Sequence, residues 1–255
     1  MAGTGPASKA EWADGSLGPR ADSLGISVVK TFKTAAPGIT GFVVQDSNGE
    51  YGVIYKYRDF LISGALLDAS GTNLTQAYAE KYIPKPDYAG VARTLAGSSG
   101  LINEGRKGAP EIYVFADPNC YYCRKLWLQT RDWVASGKLR IHWILVGFLK
   151  QSSAARAAAI LTAANRAKAL AKDEERFDLT REEGGIAELK PIPKPLAAIL
   201  EKHLALMKQL RFEGTPSVMF KDVDGNWRHV VGVPGDEQLA AALGISSRGT
   251  GKSAD

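Results

Sequence analysis

Residues 111–127 read Glu-Ile-Tyr-Val-Phe-Ala-Asp-Pro-Asn-Cys-Tyr-Tyr-Cys-Arg-Lys-Leu-Trp. The first six residues form an apolar run rich in β-formers, and Asp117-Pro118-Asn119 halts it. Beyond Cys123, the residues Leu126, Trp127, Thr130, Trp133 and Val134 recur at helical spacing. The spacing predicts a strand, a tight turn and a helix, with Cys120 and Cys123 in the first helical turn. Asn119 suits the approach to that helix.

A helix N-terminus has unpaired backbone N–H groups and the positive end of the helix dipole. Both favour a thiolate over a thiol at the leading cysteine, and the thiolate is the nucleophile. Cys120 is therefore expected at the exposed tip as the attacking group. Cys123, one turn deeper, is expected to resolve the resulting mixed disulfide. Tyr121 and Tyr122 are expected to be partly exposed beside the nucleophile, where they would face substrate. Trp127 and Trp133 are expected in the core. Arg124 and Lys125 could favour the thiolate or line a solvated helix face. Asp117 reads as a turn residue.

Three other readings of the cysteine pair are weaker. Zinc needs about four ligands, and the only histidines, His142, His203 and His229, are scattered, so no metal is expected. A structural disulfide over so short a loop would stabilise little. Two inert buried thiols are the third. The only cofactor-like group expected is a redox-active Cys120–Cys123 disulfide.

A second segment completes the pattern. Gly214-Thr215-Pro216-Ser217 precedes a β-prone run. Proline cannot donate to a sheet ladder, so it belongs at a strand start or in a cis bond, where nearby backbone could pair with an extended peptide. A plain turn proline is the alternative.

Working outward, residues 1–22 are rich in Gly, Ala, Ser and Pro and are expected to form a loose arm. Residues 1–10 are small and polar with no apolar signal-peptide core, so the start reads as a mature or trimmed form behind an added Met1. Strands are expected at 39–44, 51–57 and 60–67, within an N-terminal domain of residues 23–82. The open edges of so small a sheet suit dimerisation. A linker with a helical segment is expected over 83–108. A second domain follows over 109–245, with a helical insertion at about 152–210 and a flexible tail at 246–255. Its order of strand, helix, strand, helices, two antiparallel strands and helix is the α+β plan of a thioredoxin fold with a helical insertion. The 255 residues carry a net charge of +5 with no aromatic-and-basic motif, so no nucleic-acid partner is expected. No apolar run is long enough to span a bilayer.

Residues 112–127 resemble the active-site segment of the DsbC/DsbG family of periplasmic thiol:disulfide interchange proteins. Residues 145–161 look closest to the DsbG branch. Gly214-Thr215-Pro216 matches the family's cis-proline loop, and Gly232-Val233-Pro234 its closing strand and turn. Ile62-Ser63-Gly64 and Gly71-Thr72-Asn73-Leu74 resemble the family's small, cystatin-like dimerisation domain.

The resemblance implies that Cys120 is the nucleophile, Cys123 the resolving thiol, and Thr215 and Pro216 the substrate-facing pair. One departure is Tyr121, where the family commonly has Pro or Gly. The resemblance further implies a V-shaped homodimer joined through the N-terminal domains and working in the periplasm. It would reduce or isomerise wrong disulfides in unfolded or misoxidised exported proteins, and reduce sulfenic acids on lone cysteines. A membrane-bound thiol reductant of the DsbD type would keep it reduced. The rival readings are a dimeric holdase with the dithiol secondary, and a net dithiol oxidase.

Overall fold

A computed structural model describes Leu17 and residues 25–246. The chain divides into two compact units, residues 1–85 and 86–255.

In the first unit, β1 (Ile26–Lys33), β2 (Ile39–Asp46), β3 (Tyr51–Tyr57) and β4 (Phe60–Ser63) form an antiparallel meander in chain order. Helix α1 (Leu74–Tyr82) follows, capped by the Asn73 side chain. The unbroken apolar run in β2 is explained by burial on both faces of the sheet. Phe42 and Val44 pack with Leu17, while Val43 on the other face packs with Phe32, Tyr55 and the α1 residues Tyr78 and Tyr82. Phe32 lies flat over Gly41, its partner across the strands, where a Cβ would sit 2.3 Å from the ring.

Two expectations change in this unit. β1 was not singled out by the sequence because most of its side chains are exposed and it lacks a clean alternation. β4 stops at Ser63 instead of running to Leu67, because Gly64 turns the chain with a φ of 141°. The expected loose arm, residues 1–22, lies outside the described residues except for the buried Leu17, and so does the tail beyond Ser246.

The second unit contains α2 (Tyr88–Ala96), β5 (Ile102–Glu104), β6 (Glu111–Ala116), α3 (Tyr121–Ala135) and β7 (Arg140–Leu145). Next come α4 (Ser153–Thr162), α5 (Arg166–Glu175), α6 (Lys194–Gln209), β8 (Ser217–Lys221), β9 (Trp227–Val231) and α7 (Asp236–Leu243). The sheet order is β5-β7-β6-β8-β9, with β6 and β7 parallel and the other pairs antiparallel. This is the expected thioredoxin fold with a helical insertion.

Central β6 is buried on both sides. Ile112, Val114 and Ala116 face α3, α4 and α7, while Phe115 faces Val91 and Leu95 of α2 and Met207 of α6. Burial contributes roughly 1.5–3 kcal/mol for each large apolar side chain, which holds the strand that ends at the cysteines in a fixed position.

Much of the stretch expected as a linker belongs to this second core. Val91, Ala92 and Leu95 are buried, and β5 adds an edge strand beside β7. The insertion is also less helical than its composition suggests. Residues 176–193 are irregular, around Gly184, Gly185 and the cis peptide Lys190–Pro191.

Candidate active site

The turn after β6 is built by Asp117. Its Oδ1 accepts from the Asn119 N–H at 2.9 Å and the Ser153 hydroxyl at 2.7 Å. Its Oδ2 accepts from the N–H groups of Phe148 and Leu149. Asp117 is thus a buried hub that ties the turn to the start of the insertion, and more than a solvated turn residue. Asn119 donates to the Ser152 and Ser153 hydroxyls and accepts from the Gly184 N–H at 3.0 Å. Arg156 of α4 fastens the same loop by donating to the Gly184 and Ile186 carbonyls and pairing with Glu183.

Cys120 is the N-cap of α3. Its Sγ accepts from the Cys123 N–H at 3.1 Å, and as a thiol it donates to the Thr215 carbonyl at 3.2 Å. Both cysteines are free thiols. The hydrogen bond from the Cys123 thiol pulls the Cys120 thiol below its ordinary value against the opposing effect of burial. The Thr215 side chain and the Cys123 N–H add to the lowering, and the Asp117 charge works against it. Only a protonated sulfur can satisfy the Thr215 carbonyl. The buried Thr215 hydroxyl, which has no hydrogen-bond partner of its own, is the group on this residue that can serve the thiolate. Burial pushes Cys123 well above the ordinary thiol range, reinforced by its bond to Cys120 and the negative charge there.

The outer and inner order of the two sulfurs is as expected, but the exposed tip is not. Cys120 is only 4% exposed, because the capping geometry tucks it under the Thr215 carbonyl, and Cys123 is fully buried. The exposed surface belongs to Tyr121 and Tyr122, whose rings meet edge to face at 5.4 Å. Lys125 lies over both rings. Arg124 donates to the Glu174 carbonyl at 3.0 Å. Trp127 is in the core and Trp133 packs against it.

Thr215–Pro216, far along the chain, meets the cysteines through a cis peptide bond. The neighbouring backbone is less free than the sequence suggested. The Pro216 carbonyl accepts from the Gly232 N–H, the Gly214 carbonyl from the Ser217 hydroxyl, and the Thr215 carbonyl faces Cys120.

The histidines lie elsewhere, His142 against Asn103, His203 against the Leu145 carbonyl and His229 against Tyr88. Among the described residues, no three His, Cys, Asp or Glu side chains are grouped as metal ligands.

Asp173 and Glu174, at the end of α5, were not found from the sequence. Burial pushes Asp173 up to about 7, against the lowering from the Ile186 N–H bond and Arg156. Burial also pushes Glu174 well above the usual carboxylate range, with the Asp173 and Cys120 charges adding to it and Arg124 and Arg131 opposing. A signal was present. The two acids fall four residues after Ala169 and Leu170, on the buried stripe of an amphipathic helix.

A dithiol at a helix N-terminus, with its outer thiol lowered and inner thiol raised beside a cis-proline loop, defines a thioredoxin-fold thiol–disulfide oxidoreductase. The family model of the thioredoxin-like domain matches residues 101–244. The chain is 32% identical over 219 residues to the thiol:disulfide interchange protein DsbG of Pseudomonas aeruginosa, covering 82% of this chain and 81% of that protein. It is 32% identical over 240 residues to the Escherichia coli protein of the same name, covering 88% of each. A periplasmic thioredoxin-like protein from Salmonella enterica serovar Typhimurium shares the fold, with a TM-score of 0.50 and 18% identity over 60% of this chain and 94% of that one. The chain belongs to the DsbG family of thiol:disulfide interchange proteins, and it is an enzyme of thiol–disulfide exchange.

Proposed function

We propose that Cys120 and Cys123 reduce or isomerise wrong disulfides in exported proteins. The Cys120 thiolate attacks one sulfur of a substrate disulfide, breaking that bond and releasing one substrate thiolate. The mixed disulfide then has two fates. The freed substrate thiol attacks a different substrate sulfur and expels Cys120 after rearrangement, or Cys123 attacks the Cys120 sulfur and expels the second substrate thiolate. In the second route the substrate gains two electrons and two protons. The enzyme is left as a Cys120–Cys123 disulfide, which a membrane-bound thiol donor of the DsbD type reduces again.

One observation carries this reading: Cys120 caps α3 with its sulfur on the Cys123 N–H and against the cis Thr215–Pro216 loop, while Cys123 lies fully buried one turn further in, which makes Cys120 the attacker and Cys123 the reserve. Thr215, Pro216, Tyr121 and Tyr122 are the substrate-facing residues. The periplasm is the compartment, since disulfide exchange on exported proteins occurs there. No helix among the described residues is long and apolar enough to cross a membrane. The N-terminal sheet is the homodimer element. β4 is an edge strand, and its Phe60 is 68% exposed, with Ile62 also open on the same face.

Refolding of scrambled ribonuclease by the reduced protein tests this function. Cys120→Ser abolishes the activity, and full activity in that variant would rule the mechanism out.

A holdase role alongside the dithiol is favoured by the exposed Phe148, Leu149 and Leu179 of the catalytic unit. Suppression of aggregation that survives loss of both cysteines would establish it.

A further inference from the structure

Cys120 opens α3, and the solvent face of that helix runs on from it. Tyr121, Tyr122 and Leu128 are large apolar side chains left exposed there. Tyr121, Lys125 and Leu128 follow one another at i, i+4 and i+7, so they form one stripe down the helix. The outer face of a surface helix is ordinarily polar. Exposed apolar side chains gathered beside a reactive group mark an interaction surface.

Lys125 gives this stripe its charge. Its ammonium lies 5.7 Å from the centre of the Tyr121 ring and 5.9 Å from that of Tyr122. The positions three and four residues away along the helix are Tyr121, Tyr122, Leu128 and Gln129, so α3 itself places no carboxylate in reach. Among the described residues, Lys125 enters no ion pair. Held over two ring faces, the ammonium keeps N–H groups for an outside acceptor. The stripe is also joined to the cis-proline loop. Gln129 Nε2 donates to the Pro234 carbonyl at 2.9 Å, and the Gly232 N–H donates to the Pro216 carbonyl. One surface therefore runs from Pro216 across the 232–234 turn onto α3.

We propose that Lys125 and Leu128 are specificity-determining residues, which select substrate chains that carry a carboxylate and a large apolar side chain close to the cysteine under attack. The inference rests on the reading that Cys120 attacks protein disulfides, and it names the class of substrate. The occupant is an extended segment of the substrate, because the stripe is continuous with the loop that faces Cys120. Its carboxylate pairs with the Lys125 ammonium, and its apolar side chain lies on Leu128 and the Tyr122 ring. Helix rise fixes the spacing. Lys125 is about 7.5 Å and Leu128 about 12 Å along the axis from Cys120, at 1.5 Å per residue. An extended chain covers those distances in about two and four residues.

Disulfide-linked peptide dimers test this. Each peptide has one cysteine, with Asp about two residues and Leu about four residues away on both sides. Counterparts carry Lys for Asp, or Ser for Leu. Reduced protein in excess reduces each dimer in a single turnover, and every rate is divided by the rate with dithiothreitol, which removes the peptide's own reactivity. The Asp peptide is reduced about threefold or more faster than the Lys peptide at low salt. Salt at about 0.5 M brings that ratio toward one, a result that needs no variant to fold. Lys125→Glu inverts the ratio. The Leu peptide leads the Ser peptide by about threefold, and Leu128→Ser removes that lead. A wild type that reduces all the peptides equally overturns the proposal, as does either preference surviving its variant unchanged. If the wild type reduces none of them, the assignment of Cys120 itself fails, a result distinct from the loss of preference.

Discussion

The Cys123 backbone N–H donates to the Cys120 sulfur at 3.1 Å, so the nucleophile is the cap of the helix it opens. An N-cap acceptor satisfies one of the orphan donors of the first turn, and a negative charge there is favoured by the helix dipole by about 0.3–1 kcal/mol or more when partly buried. Stabilising the Cys120 thiolate stabilises the reduced protein, which makes the disulfide form the better electron acceptor. Cys123, in the same turn, receives none of this benefit because burial dominates it.

Cys123→Ser retains the backbone donor that caps Cys120 but cannot resolve. Reduced Cys123→Ser incubated with a disulfide-bonded substrate accumulates a stable mixed disulfide, visible as an added mass without reductant and lost with it. Cys120→Ser accumulates none. Equal adducts in both variants would contradict the assigned roles.

Asp173 makes stability depend on pH. Its folded value, about 7, lies above the ordinary value of 3.8, so the folded state holds a proton that the unfolded state releases. Stability therefore falls as pH rises from about 4 to about 7, by no more than about 4 kcal/mol. Asn can still accept from the Ile186 N–H, so Asp173→Asn unfolds at higher urea than wild type at pH 8, with the difference gone near pH 4. A variant less stable at both values would show that the carboxylate is needed for packing.

Asn119 joins the turn before the cysteines to the start of the insertion, through Ser152 and Ser153, and to its irregular middle, through Gly184. Asn119→Ala removes these bonds and leaves the Gly184 N–H without its acceptor. It lowers stability by about 2–3 kcal/mol in urea unfolding. A loss below about 0.5 kcal/mol would mean that the loop is held by Arg156 alone.

Phe60 is an exposed aromatic on an edge strand, as an interface residue should be before its partner arrives. Phe60→Glu shifts the proposed homodimer toward monomer, weakening it about tenfold or more in sedimentation equilibrium. Unchanged dimerisation would place the interface elsewhere.

What the sequence revealed follows the range of the interactions involved. The β6–α3 unit is local, set by an apolar run, a proline turn and helical periodicity, and it was legible with both cysteines in place. Pro216 was legible as a strand-start proline because a missing N–H is a property of the residue itself. β5 was not, since its three residues become a strand only by pairing with β7. α2 looked like part of a linker because its apolar residues find their partners, Phe115 and Ile144, far along the chain. Burial of Cys120 was missed for the same reason, since the carbonyl that covers it comes from residue 215. Asp173 and Glu174 look like the solvated end of a helix until the fold places them in the core.

The most direct test is the titration of the reduced protein by thiolate absorbance, with Cys123→Ser used to isolate Cys120. Cys120 is expected to ionise below the ordinary thiol range while Cys123 stays protonated well above it. If Cys120 ionises at or above the ordinary thiol value, or the two thiols ionise together, the asymmetry on which the chemistry depends is absent.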